Sequence, residues 1–310
     1  MAQHSQHRED FQTHGFSRIN LSPAEIKLFR AGVKAARDLH AADNGERARL
    51  GLGTVFGMRG YTGYELQPTK HLSAAEKERR YYSFEYGHED QNQSDELSEF
   101  LRAANIWPDQ NDLHKNICIE MQALMKDVAV DVILQVARQS EAKIREMFAF
   151  PSGNTRLLRY SGATDDNIPY HHDYEFVTLI YSTSPSLLVK HAGETIRANE
   201  SEESLIVLPG DALARLSGGE IKATVHGAAP RSERFSIVYF LCSGANVWLS
   251  AKGDICHHGS AGAAFSPAEH LAGMHLANNA VLRKICRSPY LQSLIPAGKS
   301  NPFLASGIDD

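Results

Sequence analysis

The spacing of apolar residues divides the chain into a helical first half, a strand-rich middle and a helical end. Ser22 and Pro23 suit the start of a helix, and apolar positions then recur at three- to four-residue spacing. Further helices are predicted over Ser73–Tyr82 and Ser94–Ala103. A longer amphipathic pattern over residues 111–140 predicts a helix that packs against the rest of the protein.

From residue 154 onward, the pattern changes to short apolar runs that are separated by turn residues. Such runs are typical of a sandwich or barrel. The predicted strands are 156–160, 176–181, 186–190, 195–198, 204–208, 221–225, 234–242 and 247–249. The change near residue 150 has no linker composition, so we expect one domain over residues 1–310. Its parts are a helical N-terminal part (1–150), a β core (151–250), and C-terminal helices with a tail (251–310).

Composition narrows the possible functions. With 310 residues, 42% hydrophobic and 22% charged, the chain is typical of globular proteins. A net charge of -5 without a dense basic stripe argues against nucleic-acid binding. The four cysteines lack metal or disulfide spacing, and no apolar segment could cross a bilayer. We expect a cytoplasmic monomer or weak homodimer that acts on a small molecule, without nucleic-acid or membrane partners. The polar, histidine-rich first 14 residues are expected to form a solvated tail.

Two metal-capable side chains, His171 and Asp173, are separated by one residue. On an extended strand, alternate side chains project to the same side. His226 ends a later strand-like run and could complete a two-histidine, one-carboxylate site for ferrous iron. Arg234 and Ser236, on the next run, could together hold a terminal carboxylate. Each motif is weak alone, but their order along the chain favours an iron site.

In this order, the motifs resemble the isopenicillin-N-synthase-like branch of the iron(II)/2-oxoglutarate-dependent oxygenases. Residues 173–179 (Asp-Tyr-Glu-Phe-Val-Thr-Leu) and 205–219 are similar to further family segments. The resemblance implies a mainly β fold, a double-stranded β-helix (jelly roll, cupin-like) flanked by helices. It also implies Fe(2+), 2-oxoglutarate and O2 as cofactor and co-substrates. The implied iron ligands are His171, Asp173 and His226, and the implied 2-oxoglutarate contacts are Arg234 and Ser236.

The resemblance extends to less specific positions. Tyr160 matches a tyrosine that contacts 2-oxoglutarate, although Leu158 replaces the family's preceding asparagine. Arg59 and Tyr61 lie in an Arg-Gly-Tyr segment that is expected to bind substrate, and Arg59 suggests a substrate with a carboxylate. A loop salt bridge is the alternative for Arg59. Glu175 replaces the family's usual glycine: it could face solvent, or it could bring a charge to the substrate side, which makes it a further candidate for substrate binding.

The expected reaction is hydroxylation of a small metabolite such as an amino acid or a specialised-metabolism intermediate. The carboxylate of Asp173 favours oxidation over halogenation, since family members that halogenate lack it. Two alternatives remain open: an iron oxidase of the same fold that does not use 2-oxoglutarate, and a non-catalytic jelly-roll binding protein. His172 is expected to contact the iron ligands or to pack against the core, and not to bind iron. The Cys256-His257-His258 cluster is expected to be a structural or surface feature.

Overall fold

Two antiparallel sheets face each other across one cavity at the centre of this computed structural model. A third, smaller sheet and several helices flank them. The structure describes residues 3–41, 44–62, 81–89, 95–108, 112–162, 168–198, 201–229, 232–257, 259–260 and 262–296.

The larger sheet contains seven strands among the described residues. In spatial order they are β1 (Ser17–Asn20), β9 (Ser204–Pro209), β6 (Val177–Ser182), β11 (Arg234–Leu241), β4 (Asn154–Tyr160), β3 (Tyr81–Gly87) and β2 (Gly60–Thr62). In the register of β11 with β4, Arg234 lies opposite Tyr160 and Val238 opposite Arg156. Alternate residues of both strands therefore line the same face.

The second sheet supplies the opposite wall of the cavity. Its strands, in spatial order, are β5 (Ile168–His171), β10 (Val225–Ala228), β7 (Leu187–His191) and β8 (Glu194–Arg197). The third sheet follows it in sequence and consists of β13 (Ile255–His257), β12 (Val247–Ser250) and β14 (Ala263–Phe265).

Helices cover the outer side of the larger sheet, and further helices form the C-terminal part of the described chain. They are α1 (Gln3–His14), α2 (Pro23–His40), α3 (Asn44–Arg49), α4 (Glu96–Leu101), α5 (Asp112–Val136), α6 (Glu141–Met147), α7 (Asp211–Leu216), α8 (Pro267–Asn278), α9 (Ala280–Ile285) and α10 (Pro289–Ser293). Ser22 caps α2, as the sequence predicted, and it also forms a capping box with Glu25. In the described part of the chain, no helix has the length and apolarity to cross a membrane.

The main apolar core lies between the larger sheet and helices α2 and α5. Phe29 of α2 stacks on Tyr181 of β6 with ring centroids 4.6 Å apart. Gly32 allows close packing, because a Cβ at this position would lie 2.1 Å from the sulfur of Met121 and 3.1 Å from Ile237. The same buried cluster extends from α1 to the third sheet, whereas Leu187 and Val189 of the second sheet belong to a separate cluster.

The N-terminal segment differs from its prediction as a solvated tail, because residues 3–14 form α1. Phe11 of this helix is 4% exposed and belongs to the main core. The hydroxyl of Ser17 donates a 2.7 Å hydrogen bond to Asp10, and Arg8 forms a 2.6 Å ion pair with Glu220. One buried aromatic ring and polar contacts to distant residues thus stabilise a helix that has no apolar stripe.

Strand β3 was also not predicted. The prediction of a helix over Ser73–Tyr82 lies mostly outside the described residues, and its last two residues begin this strand. Glu85 interrupts the apolar pattern of this strand, so the sequence did not indicate a buried strand, since an acidic residue is rarely buried unless it is paired. Here Arg156 of the neighbouring strand pairs with it.

Two other strand predictions need correction. The predicted strand over residues 221–225 begins only at Val225 and continues through His226 to Ala228. Strand β5 was not predicted as a separate element. The other predicted strands of the core match observed strands to within one or two residues.

Candidate metal centre and co-substrate pocket

The three predicted iron ligands come together at one end of the second sheet. His171 is the last residue of β5, and His226 lies opposite it on β10. Asp173 lies beyond β5, in the connection to β6. The expectation that His171 and Asp173 alternate on one strand is therefore wrong. The turn, and not strand alternation, brings the carboxylate to the imidazole.

The ligand atoms of the triad all lie within 4.8 Å of one another, and no other such group occurs among the described residues. His171 Nε2 lies 3.5 Å from Asp173 Oδ1, and His226 Nε2 lies 3.6 Å from Asp173 Oδ2. Two imidazoles and one carboxylate on one side of an ion leave its other positions open, as ferrous oxygenases require.

Hydrogen bonds hold the three ligands in the orientation that metal binding needs. The Nδ1 atom of His171 lies 2.8 Å from the carbonyl oxygen of Pro169, and that of His226 lies 3.0 Å from the carbonyl of Thr224. A carbonyl oxygen only accepts, so Nδ1 carries the proton and Nε2 keeps its lone pair for a metal. The Thr178 hydroxyl donates to Asp173 and fixes the carboxylate.

The electrostatics also suit a cation. Burial lowers the pKa of His226 to about 4, so its imidazole is neutral at physiological pH. Burial by itself raises the pKa of Asp173, but His226, His171 and the Thr178 hydrogen bond outweigh it and lower that pKa below its ordinary value. A neutral imidazole and an ionised carboxylate are the protonation states that ligate metals. The donor set therefore fits ferrous iron.

The triad opens into a cavity whose wall also includes Arg234 and Tyr160, two of the three predicted 2-oxoglutarate contacts. Arg234 is buried, and its guanidinium donates a 2.5 Å hydrogen bond to Ser236. The guanidinium carbon lies 4.6 Å from the ring centroid of Tyr160, its register partner on β4. The rest of the wall is mainly apolar and includes Leu158, Ile168, Ile180, Leu187 and Val238. A guanidinium in the wall of an apolar cavity, hydrogen-bonded to a hydroxyl, suits a terminal carboxylate.

Two candidates for substrate binding lie elsewhere. Arg59 is 1% exposed, and its guanidinium donates to the backbone carbonyls of Met58, Leu101 and Ala103 at 2.8–3.0 Å. Tyr61 is buried, with its ring 5.5 Å from that of His40. Neither residue lines the cavity. Their substrate role is therefore corrected to a structural one, and the carboxylate-bearing substrate that Arg59 suggested loses its support.

Glu175 is buried close to the triad but does not line the cavity. Burial and the negative charge of Asp173 raise the pKa of Glu175 to about 8. One of its carboxyl oxygens accepts a 3.0 Å hydrogen bond from the backbone nitrogen of Tyr174. As predicted, His172 lies outside the triad: its Nε2 is 3.8 Å from a carboxylate oxygen of Asp211. Residues 256 and 257 lie on β13, and residue 258 is outside the described residues.

Sequence reasoning missed two polar residues near the site. Thr178 was part of a matched motif but had no assigned role. Arg156 lines the cavity together with Leu158 and Tyr160, with which it alternates on β4. That alternation was a usable signal. Its partner Glu85 was not accessible to this reasoning, since β3 was not predicted.

Comparison with known proteins supports this reading of the site. Residues 151–243 match the family model described as the 2OG-Fe(II) oxygenase superfamily. This segment contains the whole triad and the Arg-x-Ser pair. No curated protein sequence matches the chain. The segment that carries the site thus matches the 2OG-Fe(II) oxygenase superfamily, whose members are oxidoreductases; the match does not specify the isopenicillin-N-synthase-like branch.

Solved structures share the fold at low sequence identity. Full-length Neurospora crassa T7H in complex with alpha-KG (2-oxoglutarate) has a TM-score of 0.66 and 21% identity, over 83% of this chain and 87% of that one. A Caulobacter crescentus protein assigned to the 2OG-Fe(II) oxygenase family has a TM-score of 0.68 and 18% identity, over 79% and 83%. JOX2 in complex with 2OG, Fe and JA has a TM-score of 0.60 and 15% identity, over 79% and 72%. These structures confirm the jelly-roll fold.

Proposed function

We propose that this chain is a single-domain Fe(II)/2-oxoglutarate-dependent dioxygenase that hydroxylates a small metabolite. The reaction would convert 2-oxoglutarate and O2 to succinate and CO2 while one oxygen atom enters a substrate C–H bond. The observation that carries the proposal is that the iron triad and Arg234, whose guanidinium is hydrogen-bonded to Ser236, line the same cavity. A ligand in this cavity can therefore contact both the metal and the guanidinium.

Each residue has a defined task in this scheme. His171, Asp173 and His226 hold ferrous iron, and the backbone carbonyls behind the two imidazoles keep Nε2 directed at it. Arg234, Ser236 and Tyr160 hold the far carboxylate of 2-oxoglutarate. Bound iron with 2-oxoglutarate and O2 supplies the oxidising power that breaks the C–H bond. The apolar walls orient the substrate. They also exclude water, which limits side reactions.

The relatives support a small-molecule substrate. Neurospora crassa T7H has been solved with thymine and with 5-formyluracil, and JOX2 with JA. These ligands differ in chemistry, so they support the size class of the substrate and not its identity. We also propose a cytoplasmic monomer or weak homodimer without nucleic-acid partners. The four cysteines, all of them without disulfides, are compatible with a reducing compartment.

Anaerobic titration with ferrous iron and 2-oxoglutarate tests the proposal. We expect the weak visible charge-transfer band that is typical of such complexes. The band should be lost in His226→Ala and in Arg234→Ala, and should persist in the control His172→Ala. Iron binding without a band would favour an oxidase of the same fold that does not use 2-oxoglutarate. Absence of iron binding would contradict both the dioxygenase and the oxidase hypothesis and would favour a non-catalytic binding protein.

A further inference from the structure

A second arginine, Arg156, lines the cavity and has no task in binding iron or 2-oxoglutarate. It lies on β4, four residues before Tyr160 and on the same face. Its guanidinium carbon lies 5.0 Å from the ring centroid of Phe240, which also lines the cavity. Arg234 and Arg156 therefore occupy different positions along the wall that β4 and β11 form.

Buried polar groups hold Arg156 in place. Its Nε donates a 2.7 Å hydrogen bond to Glu85 Oε1, and Asn154 donates to the other oxygen of the same carboxylate. The Glu85 side chain is 3% exposed, whereas that of Arg156 is 27% exposed. The terminal nitrogens of Arg156 make no hydrogen bond to any described residue. A fixed guanidinium thus presents two N–H donor groups to the space beside the metal site.

The charge of this pair restricts what it can bind. Glu85 already neutralises Arg156, so a substrate carboxylate would place two negative charges against one guanidinium in a buried site. A buried charge without its own counter-charge is costly. A carbonyl or other uncharged acceptor would satisfy the N–H groups without adding charge.

We propose that the Arg156–Glu85 pair selects a small, uncharged substrate that presents a carbonyl or amide oxygen to the terminal nitrogens of Arg156. This inference rests on the proposed oxygenase function and names the substrate class of the same site. Arg156 fixes the acceptor group, and the apolar walls hold the carbon skeleton whose C–H bond faces the metal. Glu85 is a positioning residue that also sets the charge preference.

Equilibrium dialysis of the anaerobic full-length protein, loaded with ferrous iron and 2-oxoglutarate, tests this selectivity. Benzamide and benzoate are suitable probes, since they have the same skeleton but benzoate is ionised at neutral pH. We expect benzamide to bind the wild type at least about tenfold more tightly than benzoate. Glu85→Gln removes the counter-charge and should reverse that order.

The matched control is Glu233→Gln. Glu233 forms a 2.9 Å ion pair with Arg159. Arg159 lies on β4, as Arg156 does, but on the opposite face of the strand. The side chains of Glu233 and Arg159 are both at least one-third exposed. This variant should keep the wild-type preference. Should Glu85→Gln not fold, Arg156→Lys replaces it: this variant keeps the charge but not the two N–H groups, and should lose about tenfold in benzamide affinity.

The charge-transfer band separates the two proposals. If it forms in the wild type and the variants, the iron and 2-oxoglutarate sites are intact. A wild type that prefers benzoate or binds neither probe, or a variant with an unchanged benzamide-to-benzoate ratio, would then overturn only the substrate inference. If the band does not form in the wild type, the oxygenase proposal itself fails.

Discussion

His171 and His226 lie directly opposite each other in the antiparallel pair of β5 and β10, with ring centroids 4.5 Å apart. Each imidazole also has a backbone carbonyl behind it that fixes its tautomer. The register of two short strands therefore places both nitrogen ligands, and Asp173 needs only the following turn to reach them. Strand pairing thus sets most of the ligand geometry.

The hydroxyl that holds Asp173 should contribute to metal affinity. Thr178→Val removes this hydrogen bond at nearly constant volume, and we expect about 10- to 100-fold weaker ferrous iron binding. Anaerobic metal titration measures the change. The control is Thr155→Val, which removes a buried hydroxyl that accepts a 2.9 Å bond from Gln122. Equal losses of iron affinity in both variants would show that Thr178 acts only through stability.

The planar guanidinium of Arg234 should be needed for co-substrate binding. Arg234→Lys keeps the charge but cannot bind a carboxylate with two parallel N–H groups, so the Kd for 2-oxoglutarate should rise about tenfold or more. The strength of the charge-transfer band against 2-oxoglutarate concentration gives this Kd. Arg159→Lys, on the outer face of β4, should leave it unchanged. An unaltered Kd in Arg234→Lys would place the far carboxylate elsewhere.

Arg59 should contribute to stability and not to ligand binding. Arg59→Met leaves three backbone carbonyls without their buried donor, and we expect the free energy of unfolding to fall by about 2–4 kcal/mol. Urea denaturation measures the free energy of unfolding. The control is Arg145→Met, at an exposed ion pair with Glu141, which should change this free energy by less than about 0.5 kcal/mol. Loss of 2-oxoglutarate binding in a folded Arg59→Met protein would contradict this structural role.

Stability should fall in mild acid because of buried His40. Burial lowers the pKa of His40 from 6.5 to about 4, so between these values the unfolded chain binds a proton that the folded protein does not. The free energy of unfolding therefore decreases as pH falls through this window. His40→Gln should reduce the decrease by up to about 3 kcal/mol. Urea denaturation at several pH values tests this, and His14→Gln, at an exposed histidine, is the control. If the free energy of unfolding depended on pH in the same way in the wild type, His40→Gln and His14→Gln, the prediction would be refuted.

The sequence by itself determined the class of fold and the main chemical residues. Strand-length apolar runs with turn residues between them predicted the β core, because strand periodicity is a local property. The order of His171, Asp173, His226 and Arg234 along the chain predicted one site, and the structure brings all four to the same cavity. These residues could be recognised because the motif order, more than any single spacing, carries the signal.

Only the tertiary structure decided which polar residues are buried together. Arg59 is buried and Arg156 is half-buried; backbone carbonyls surround the first, whereas the second pairs with Glu85 and lines the cavity. The pairing of Glu85 with Arg156 joins positions 71 residues apart in sequence. Likewise, α1 owes its place to contacts with distant residues and not to its own composition. Burial of a charged group depends on partners that come from elsewhere in the chain, and no local pattern contains them.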